Sequence, residues 1–258
     1  MTQSLDEYIA FAGELADLSR AILLAAGADA GRYESKEDTS PVTPFDRQVE
    51  TALRERIAER YPAHGVLGEE HGAEALDAEM VWVIDPIDGT KQFIAGLPVY
   101  STLIGLAVDG RFRYGLMDYP ATGERCQGGP GFGAFRNGHA VKARPCERLE
   151  TAIIAAGMPT RDVASERAAA ERLVRACRWA VWGAGSYAYG LVASGRLDIS
   201  VYRSCDVYDY AAAVPIIEAA GGFCCDWSGA PLNPASGGNV LLLGDRTLAA
   251  PALQRLEG

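Results

Sequence analysis

The sequence is poor in histidine, with three in 258 residues, and none of its six cysteines forms a Cys-x-x-Cys pair. A zinc centre is therefore disfavoured, and Cys126, Cys146, Cys177, Cys205, Cys224 and Cys225 read as buried free thiols. Positive charge is also scarce: 24 Lys and Arg against 34 Asp and Glu leave a formal net charge of −10. Nonspecific nucleic-acid binding needs a basic footprint, and no basic stripe interleaved with aromatics supplies one. No uncharged run approaches a membrane span. The first residues, Met1-Thr2-Gln3-Ser4-Leu5-Asp6-Glu7, lack a signal-peptide pattern, so no membrane partner is expected and the cytoplasm is the expected location. A Pro/Ser-rich linker, an internal repeat and a low-complexity tail are likewise missing.

What is present is an ordinary globular composition, 48% hydrophobic and 22% charged, in a chain long enough to bury a core. Leu5 to Ala28 has helical spacing, with Ser4 and Glu7 as a cap, and a polar segment follows from Arg32 to Asp38. Thr43 fits an N-cap, Pro44 the first helical position and Asp46 the N3 carboxylate of a second helix reaching about Arg60. Strands are predicted at Val66–Gly68, Met80–Ile84, Val99–Val108, Phe112–Met117 and Gly133–Phe135, with Asp109-Gly110 and Asn137-Gly138 as turns. Helices followed by strands suggest helices packed on an antiparallel sheet over residues 1–145. Residues 146–258 read as an α/β region: strands Thr151–Ala156 and Leu197–Tyr202, the short apolar element Trp179–Trp182, and helices Ser165–Cys177, Tyr187–Ala193 and Tyr210–Ala220. Gly195 closes the second of these helices and Gly221-Gly222 the third.

The chemistry concentrates where the apolar strand Trp82-Val83-Ile84 runs into Asp85-Pro86-Ile87-Asp88-Gly89-Thr90-Lys91. Pro86 and Gly89 favour a sharp turn that aims both carboxylates and the Ile87 carbonyl at one point. Oxygen donors of this kind suit Mg²⁺ or Mn²⁺, and without a cation the two carboxylates repel. A plain surface turn is the bland alternative. Spacing does not choose between Glu69 and Glu70 as a further ligand. Asp46 is explained by a helix cap alone, and Lys36 with Asp38 by a loop salt bridge. His64, His71 and His139 have no ligand spacing. Asp206 and Asp209 precede an apolar helix, where a carboxylate is stabilised by free amides, or where Asp209 supplies a ligand from the second region. Gly185-Ser186 also precedes a helix, as a cap or a substrate contact.

Taken together, Val42-Thr43-Pro44-Phe45-Asp46, Gly68-Glu69-Glu70, Trp82 through Thr90, Gly185-Ser186, Ala193 through Asp198, and Tyr208-Asp209-Tyr210 leading to Gly221-Gly222 span nearly the whole chain. In that order they resemble the inositol monophosphatase superfamily of Mg²⁺-dependent phosphatases. The resemblance implies a layered α-β-α-β-α sandwich and phosphomonoester hydrolysis by direct attack of metal-activated water, with no phosphoenzyme. It implies two or three Mg²⁺ ions, with Mn²⁺ as a possible substitute, on Glu69, Asp85, the Ile87 carbonyl, Asp88 and Asp209. Asp46 and Thr90 would position the water together with Glu69, and Lys36 would lie in a loop that closes over the metals. Asp88, Gly89, Thr90, Gly185, Ser186, Arg196 and Tyr202 are the expected substrate contacts. A small phosphorylated metabolite as partner and a homodimer are expected on the same ground.

Lys91, Phe93-Ile94, Tyr119 through Arg125 and Tyr208-Asp209 lean toward the histidinol-phosphatase branch, so L-histidinol phosphate, an intermediate of histidine biosynthesis, is the first expected substrate. Both branches commonly carry a substrate-binding glutamate seven residues before the last metal aspartate, where this chain has Tyr202, followed by Arg203. Tyrosine offers no charge to a cationic substrate, which keeps inositol phosphates, other polyol phosphates and nucleotide-derived phosphates as alternatives. An inactive metal-binding regulator is the alternative of another class.

Overall fold

The computed structural model describes residues 5–36, 40–157 and 163–257. Ser4, expected to cap the first helix, and Asp38, the alternative partner of Lys36, lie outside the described residues. Helix α1 (Leu5–Ala25) buries Tyr8, Phe11, Ala12, Leu15 and Ala16, the spacing of one helical face. It ends at Ala25 rather than Ala28, and a short 3₁₀ turn follows over Gly27–Gly31. A two-stranded ribbon, β1 (Glu34–Ser35) and β2 (Pro41–Val42), leads into α2 (Pro44–Arg60). The capping box read from sequence is present: Thr43 Oγ1 accepts from the Phe45 and Asp46 amides, and Asp46 Oδ2 accepts from the Thr43 amide.

Eight strands follow: β3 (Gly65–Gly68), β4 (Gly72–Glu74), β5 (Met80–Asp88), β6 (Ser101–Val108), β7 (Arg111–Tyr119), β8 (Glu124–Gly129), β9 (Gly133–Arg136) and β10 (His139–Ala140). They form one sheet in the order β10-β9-β8-β7-β6-β5-β3-β4, antiparallel except where β3 runs parallel to β5. The short helix α3 (Thr90–Ala95) interrupts between β5 and β6. Both predicted hairpin turns take positive φ at each central residue, Asp109-Gly110 at 49° and 68° and Asn137-Gly138 at 51° and 77°, as the strand twist requires.

The second region contributes β11 (Ile153–Ala156), α4 (Ala164–Ala176), β12 (Trp179–Trp182), α5 (Tyr187–Ala193), β13 (Ile199–Tyr202), α6 (Val207–Tyr210), α7 (Ala213–Ala219), β14 (Phe223–Asp226), β15 (Val240–Leu243) and α8 (Ala249–Glu257). Its strands form a five-stranded sheet in the order β12-β11-β13-β15-β14. Of the helix expected over Tyr210–Ala220, Ala213–Ala219 forms α7, and Tyr210 instead ends the short preceding helix α6. Pro215 explains the break, since it has no N–H to donate to the Ala211 carbonyl one turn back. The Ala211–Ala212 joint lies flat on the large sheet at Gly105 and Gly115; at Gly115 a Cβ would overlap the Ala212 carbonyl.

Alternation along the strands assigns the layers. In β5, Trp82 and Ile84 face the core beneath α1 and α2, while Val83 faces the central core with α5 and α7. In β15, Val240 and Leu242 join that central core, while Leu241 and Leu243 pack beneath α4 and α8. The result is the expected α-β-α-β-α sandwich: α1 and α2, the large sheet, α5 to α7, the small sheet, then α4 and α8. All six cysteines are free, and all but Cys177 are buried. No described helix is long and apolar enough to cross a membrane.

Candidate active site

β5 does not stop at Ile84; it continues to Asp88 with a bulge between Asp85 and Asp88. Asp85 pairs with Leu103 and Asp88 with Ser101, so β5 carries one residue more than β6 across this interval. Residues three apart on a regular strand point to opposite faces. The extra residue resets the alternation and lets both carboxylates converge. Asp209, in the first turn of α6, completes the group: Asp85, Asp88 and Asp209 each offer a carboxylate oxygen within 4.8 Å of the others. The predicted turn is thus a bulged strand end at which the two carboxylates converge, while the Ile87 carbonyl accepts from the Thr90 hydroxyl.

Each carboxylate is held differently. Asp88 Oδ2 accepts from the Ser186 amide at 2.9 Å and hydroxyl at 2.5 Å. Asp209 Oδ2 accepts the Asp206 amide at 2.7 Å, so one oxygen caps α6 in a capping box. Asp85 Oδ1 is buried and has no hydrogen-bond partner among the described residues. Burial, and then repulsion from Glu69, Asp88 and Asp209, pushes the Asp85 carboxyl well above its ordinary range. Asp209 is raised in the same way by burial and then by Asp88, against the Asp206 amide. Burial also raises Asp88, opposed by the Ser186 hydrogen bonds. Mutually repelling carboxylate oxygens, with a buried and unpartnered Asp85 atom among them, are the donor set of a hard cation, so Mg²⁺ or Mn²⁺ fits these residues.

Around this cluster, Gly89 takes φ of 83° and opens α3, whose first residue is Thr90. The Thr90 hydroxyl lies 3.3 Å from Asp46 Oδ1 and 3.1 Å from the Ile87 carbonyl. Asp46, which sequence spacing explained by a helix cap, therefore both caps α2 and reaches Thr90 across the fold. Burial raises its pKa, opposed by the Thr43 hydrogen bonds. Lys36 Nζ donates to Glu69 Oε1 at 2.9 Å and to Glu70 Oε1 at 2.6 Å. Burial lowers the Lys36 pKa, but the two glutamates outweigh it and the net shift is upward. Burial pushes Glu69 up to about 7 despite Lys36.

Lys36, Glu69, Asp85, Asp88, Thr90 and Asp209 line a cleft of about 370 Å³ whose far wall includes Gly185, Tyr202, Arg203, Cys205, Asp206 and Tyr208. A larger, open groove of about 630 Å³ along Arg144, Arg148, Arg178 and Trp179 contains none of the clustered carboxylates. Two of the expected substrate contacts sit elsewhere. Ser186 is fully buried; its hydroxyl is 2.5 Å from Ser101 Oγ as well as from Asp88, so it supports a carboxylate instead of facing the cleft. Arg196 is exposed after α5, its amide bonded to the Leu191 carbonyl, and is not among the described residues lining the cleft. Glycine is needed at Gly185, where a Cβ would stand 3.0 Å from Asp88 Oδ2 at a φ of 54°. Sequence reasoning missed Ser101 and Gly157. Gly157 follows β11 with the Tyr202 ring packed so closely that a Cβ there would overlap it, and only the packing reveals that contact.

Known proteins resemble this chain over most of its length. The family model of the inositol monophosphatase family matches residues 4–256. A chloroplastic bifunctional phosphatase of Arabidopsis thaliana, IMPL2, is 35% identical over 98% of this chain and 76% of its own length. A histidinol-phosphatase of Chlorobaculum parvum is 36% identical over 76% of each. The solved structure of an inositol monophosphatase from Zymomonas mobilis superposes over 100% of both chains with a TM-score of 0.87 at 33% identity.

Proposed function

The chain belongs to the inositol monophosphatase family, a family of metal-dependent phosphatases, and on that premise we propose that it hydrolyses L-histidinol phosphate to L-histidinol and phosphate. The observation that carries the reaction type is the convergence of Asp85, Asp88 and Asp209 around an unpartnered Asp85 oxygen. In this reading Glu69, Asp85, the Ile87 carbonyl, Asp88 and Asp209 would hold two or three Mg²⁺ ions. Residues 1–145 thus supply most of the ligands, and residues 146–258 supply Asp209. Bound Mg²⁺ supplies Lewis acidity, which makes water a competent nucleophile near neutral pH and offsets charge on the phosphate and the leaving alkoxide.

The chain's own groups supply the rest. Thr90 accepts the proton of the attacking water while its own hydroxyl hydrogen passes toward Asp46, 3.3 Å away. Glu69 orients the water for in-line attack. Lys36 neutralises part of the Glu69–Glu70 charge, which keeps an anionic ester from being repelled at the cleft mouth. Ser186 holds Asp88 in one rotamer, and the Gly89 and Thr90 amides serve as donors to phosphate oxygens. A cytoplasmic homodimer acting in histidine biosynthesis is part of the same proposal.

Substrate choice rests on Lys91, Phe93-Ile94 and Tyr208-Asp209, and on the histidinol-phosphatase name of relatives at this level of identity. One observation favours a second reading, an inositol or other polyol phosphate: Tyr202 lines the cleft and offers no carboxylate to an ammonium group. The deciding experiment measures phosphate release with Mg²⁺ from L-histidinol phosphate, inositol monophosphates and nucleotide-derived phosphates. The highest kcat/KM on L-histidinol phosphate is expected. A preference for an uncharged polyol ester selects the second reading. No release from any ester by folded, Mg²⁺-binding protein removes the enzyme reading at this site.

A further inference from the structure

We propose that Glu50 is a positioning residue for the metal site: its buried carboxylate ties the Glu69–Glu70 turn to α2 and so sets where Glu69 reaches the acidic cluster. The inference rests on the reading of Glu69 as a ligand. Glu50 is fully buried. Its Oε2 accepts the Glu70 amide at 2.7 Å, and its Oε1 accepts the His71 amide at 3.1 Å and Arg54 Nε at 2.8 Å. Arg54 donates in turn to the Gly72 carbonyl. One carboxylate and its guanidinium partner thus hold residues 70, 71 and 72, immediately beyond Glu69, against a single helix. Amide bonds to an ionised carboxylate are stronger than those between neutral groups, and Arg54 compensates the buried charge.

Gly68, on the other side of Glu69, supports the same conclusion. A Cβ there would overlap the Glu50 carboxylate, and the Gly68 backbone is not in the left-handed region. The glycine therefore leaves the space in which the Glu50 carboxylate seats under the turn, and a Cβ would have to push that carboxylate aside. Glu69 is gripped twice, through the backbone beside it by Glu50 and at its carboxylate by Lys36. In the sequence Glu50 and Arg54 look like a solvent-facing i,i+4 ion pair, which hides this role.

The test titrates the protein with Mn²⁺ alone, followed by electron paramagnetic resonance, and measures the Mg²⁺ dependence of phosphate release. Glu50→Gln places an NH₂ group against a backbone N–H, and Glu50→Asp withdraws the carboxylate. Both should raise the Mn²⁺ dissociation constant and the half-saturating Mg²⁺ about tenfold, as loss of an outer partner of a metal ligand does. At saturating Mg²⁺, kcat should change by less than about threefold. Gly68→Ala should act in the same direction, and should add less than about twofold on a Glu50→Ala background, where no carboxylate is left to displace. If the glutamine variant fails to fold, the aspartate and Gly68→Ala variants give the same readout. A lowered Tm with unchanged metal constants in the folded variants makes Glu50 a purely structural residue and overturns the proposal. Glu69→Gln separates the two levels. If it weakens Mn²⁺ binding while the Glu50 and Gly68 variants do not, this inference alone fails. If it leaves binding unchanged, the reading of Glu69 fails and takes the inference with it.

Discussion

Asp85 Oδ1 is buried with no hydrogen-bond partner among the described residues, and Asp88 and Asp209 stand close enough to repel its charge. Replacing Asp85 by Asn removes that repulsion at nearly constant volume. We expect the metal-free Tm of this variant to rise by about 2–4 °C, the response of a chain of this size to roughly 1 kcal/mol. The stabilisation by Mg²⁺ should vanish, and turnover should fall about a hundredfold or more, at least the upper end of what outer partners of a ligand cost. Melting curves with and without Mg²⁺ and a phosphate-release assay check this; an undiminished response to Mg²⁺ contradicts it. Tyr202 is the other informative residue. Its ring lies against Gly157 and Tyr189 on the cleft wall, where its place in the chain invites comparison with an acidic side chain. Tyr202→Glu should raise kcat/KM for L-histidinol phosphate relative to an inositol phosphate about tenfold, the worth of a charge-assisted contact of roughly 1.4 kcal/mol. An unchanged ratio means that this wall does not meet the leaving group.

At the scale of elements, the start of α2 links stability to the site. The Thr43 hydroxyl accepts two amide hydrogens and donates to Asp46 Oδ2 at 2.6 Å. Thr43→Ala should cost about 1 kcal/mol through the lost cap, and should also lower kcat, because Asp46 Oδ2 then keeps only the Thr43 amide and is held less firmly toward Thr90. Thr43→Ser should restore both. Thermal melts and kinetics on the pair provide the check, and a stability loss with unaltered kcat would separate the cap from the site. Element starts and hairpin turns were legible for a local reason: Thr43-Pro44, Asp109-Gly110 and Asn137-Gly138 prescribe backbone conformation by themselves. The end of β5 was not legible, because a bulge is defined by the partner strand's register and no residue of β5 announces it. β8, β14, β15 and α8 also escaped the sequence reading. Gly128 and Gly129 blur the alternation in β8, while β15 is apolar on both faces because it is covered on both.

For the whole molecule, the buried acidic cluster couples stability, pH and metal. A carboxyl whose folded pKa lies above its unfolded value favours the folded state while protonated. That contribution is present in acid and is lost as pH rises through the folded pKa. Glu69, pushed up to about 7, and Asp85 and Asp209, raised well above their ordinary range by burial, all have this sign. The metal-free protein should therefore lose stability from these groups as pH climbs from about 5 toward 8. Mg²⁺ binds the ionised form and reverses the loss. The rise in Tm on adding Mg²⁺ should be larger near pH 8 than near pH 5.5, and calorimetry near pH 6.5 in buffers of different ionisation enthalpy should detect proton release on binding, both about as expected for metal competing with protons. Equal Tm shifts at both pH values would show that the cluster is already ionised without metal.

The order of motifs, the strand–turn chemistry of Trp82 through Thr90 and the acidic balance were set by the sequence alone, because they depend on residue type and short spacing. Their resemblance to the inositol monophosphatase family implied the layered fold and the phosphatase class. Tertiary structure decided what depends on approach between distant segments. It brought Asp209 to Asp85 and Asp88, turned Ser186 from a substrate contact into a support for Asp88, left Arg196 outside the cleft, and buried Glu50 under the Glu69 turn. The physical reason is common to all four: where a side chain points once a bulge, a helix break and two facing sheets are in place is a property of packing and register, and local spacing carries no record of it.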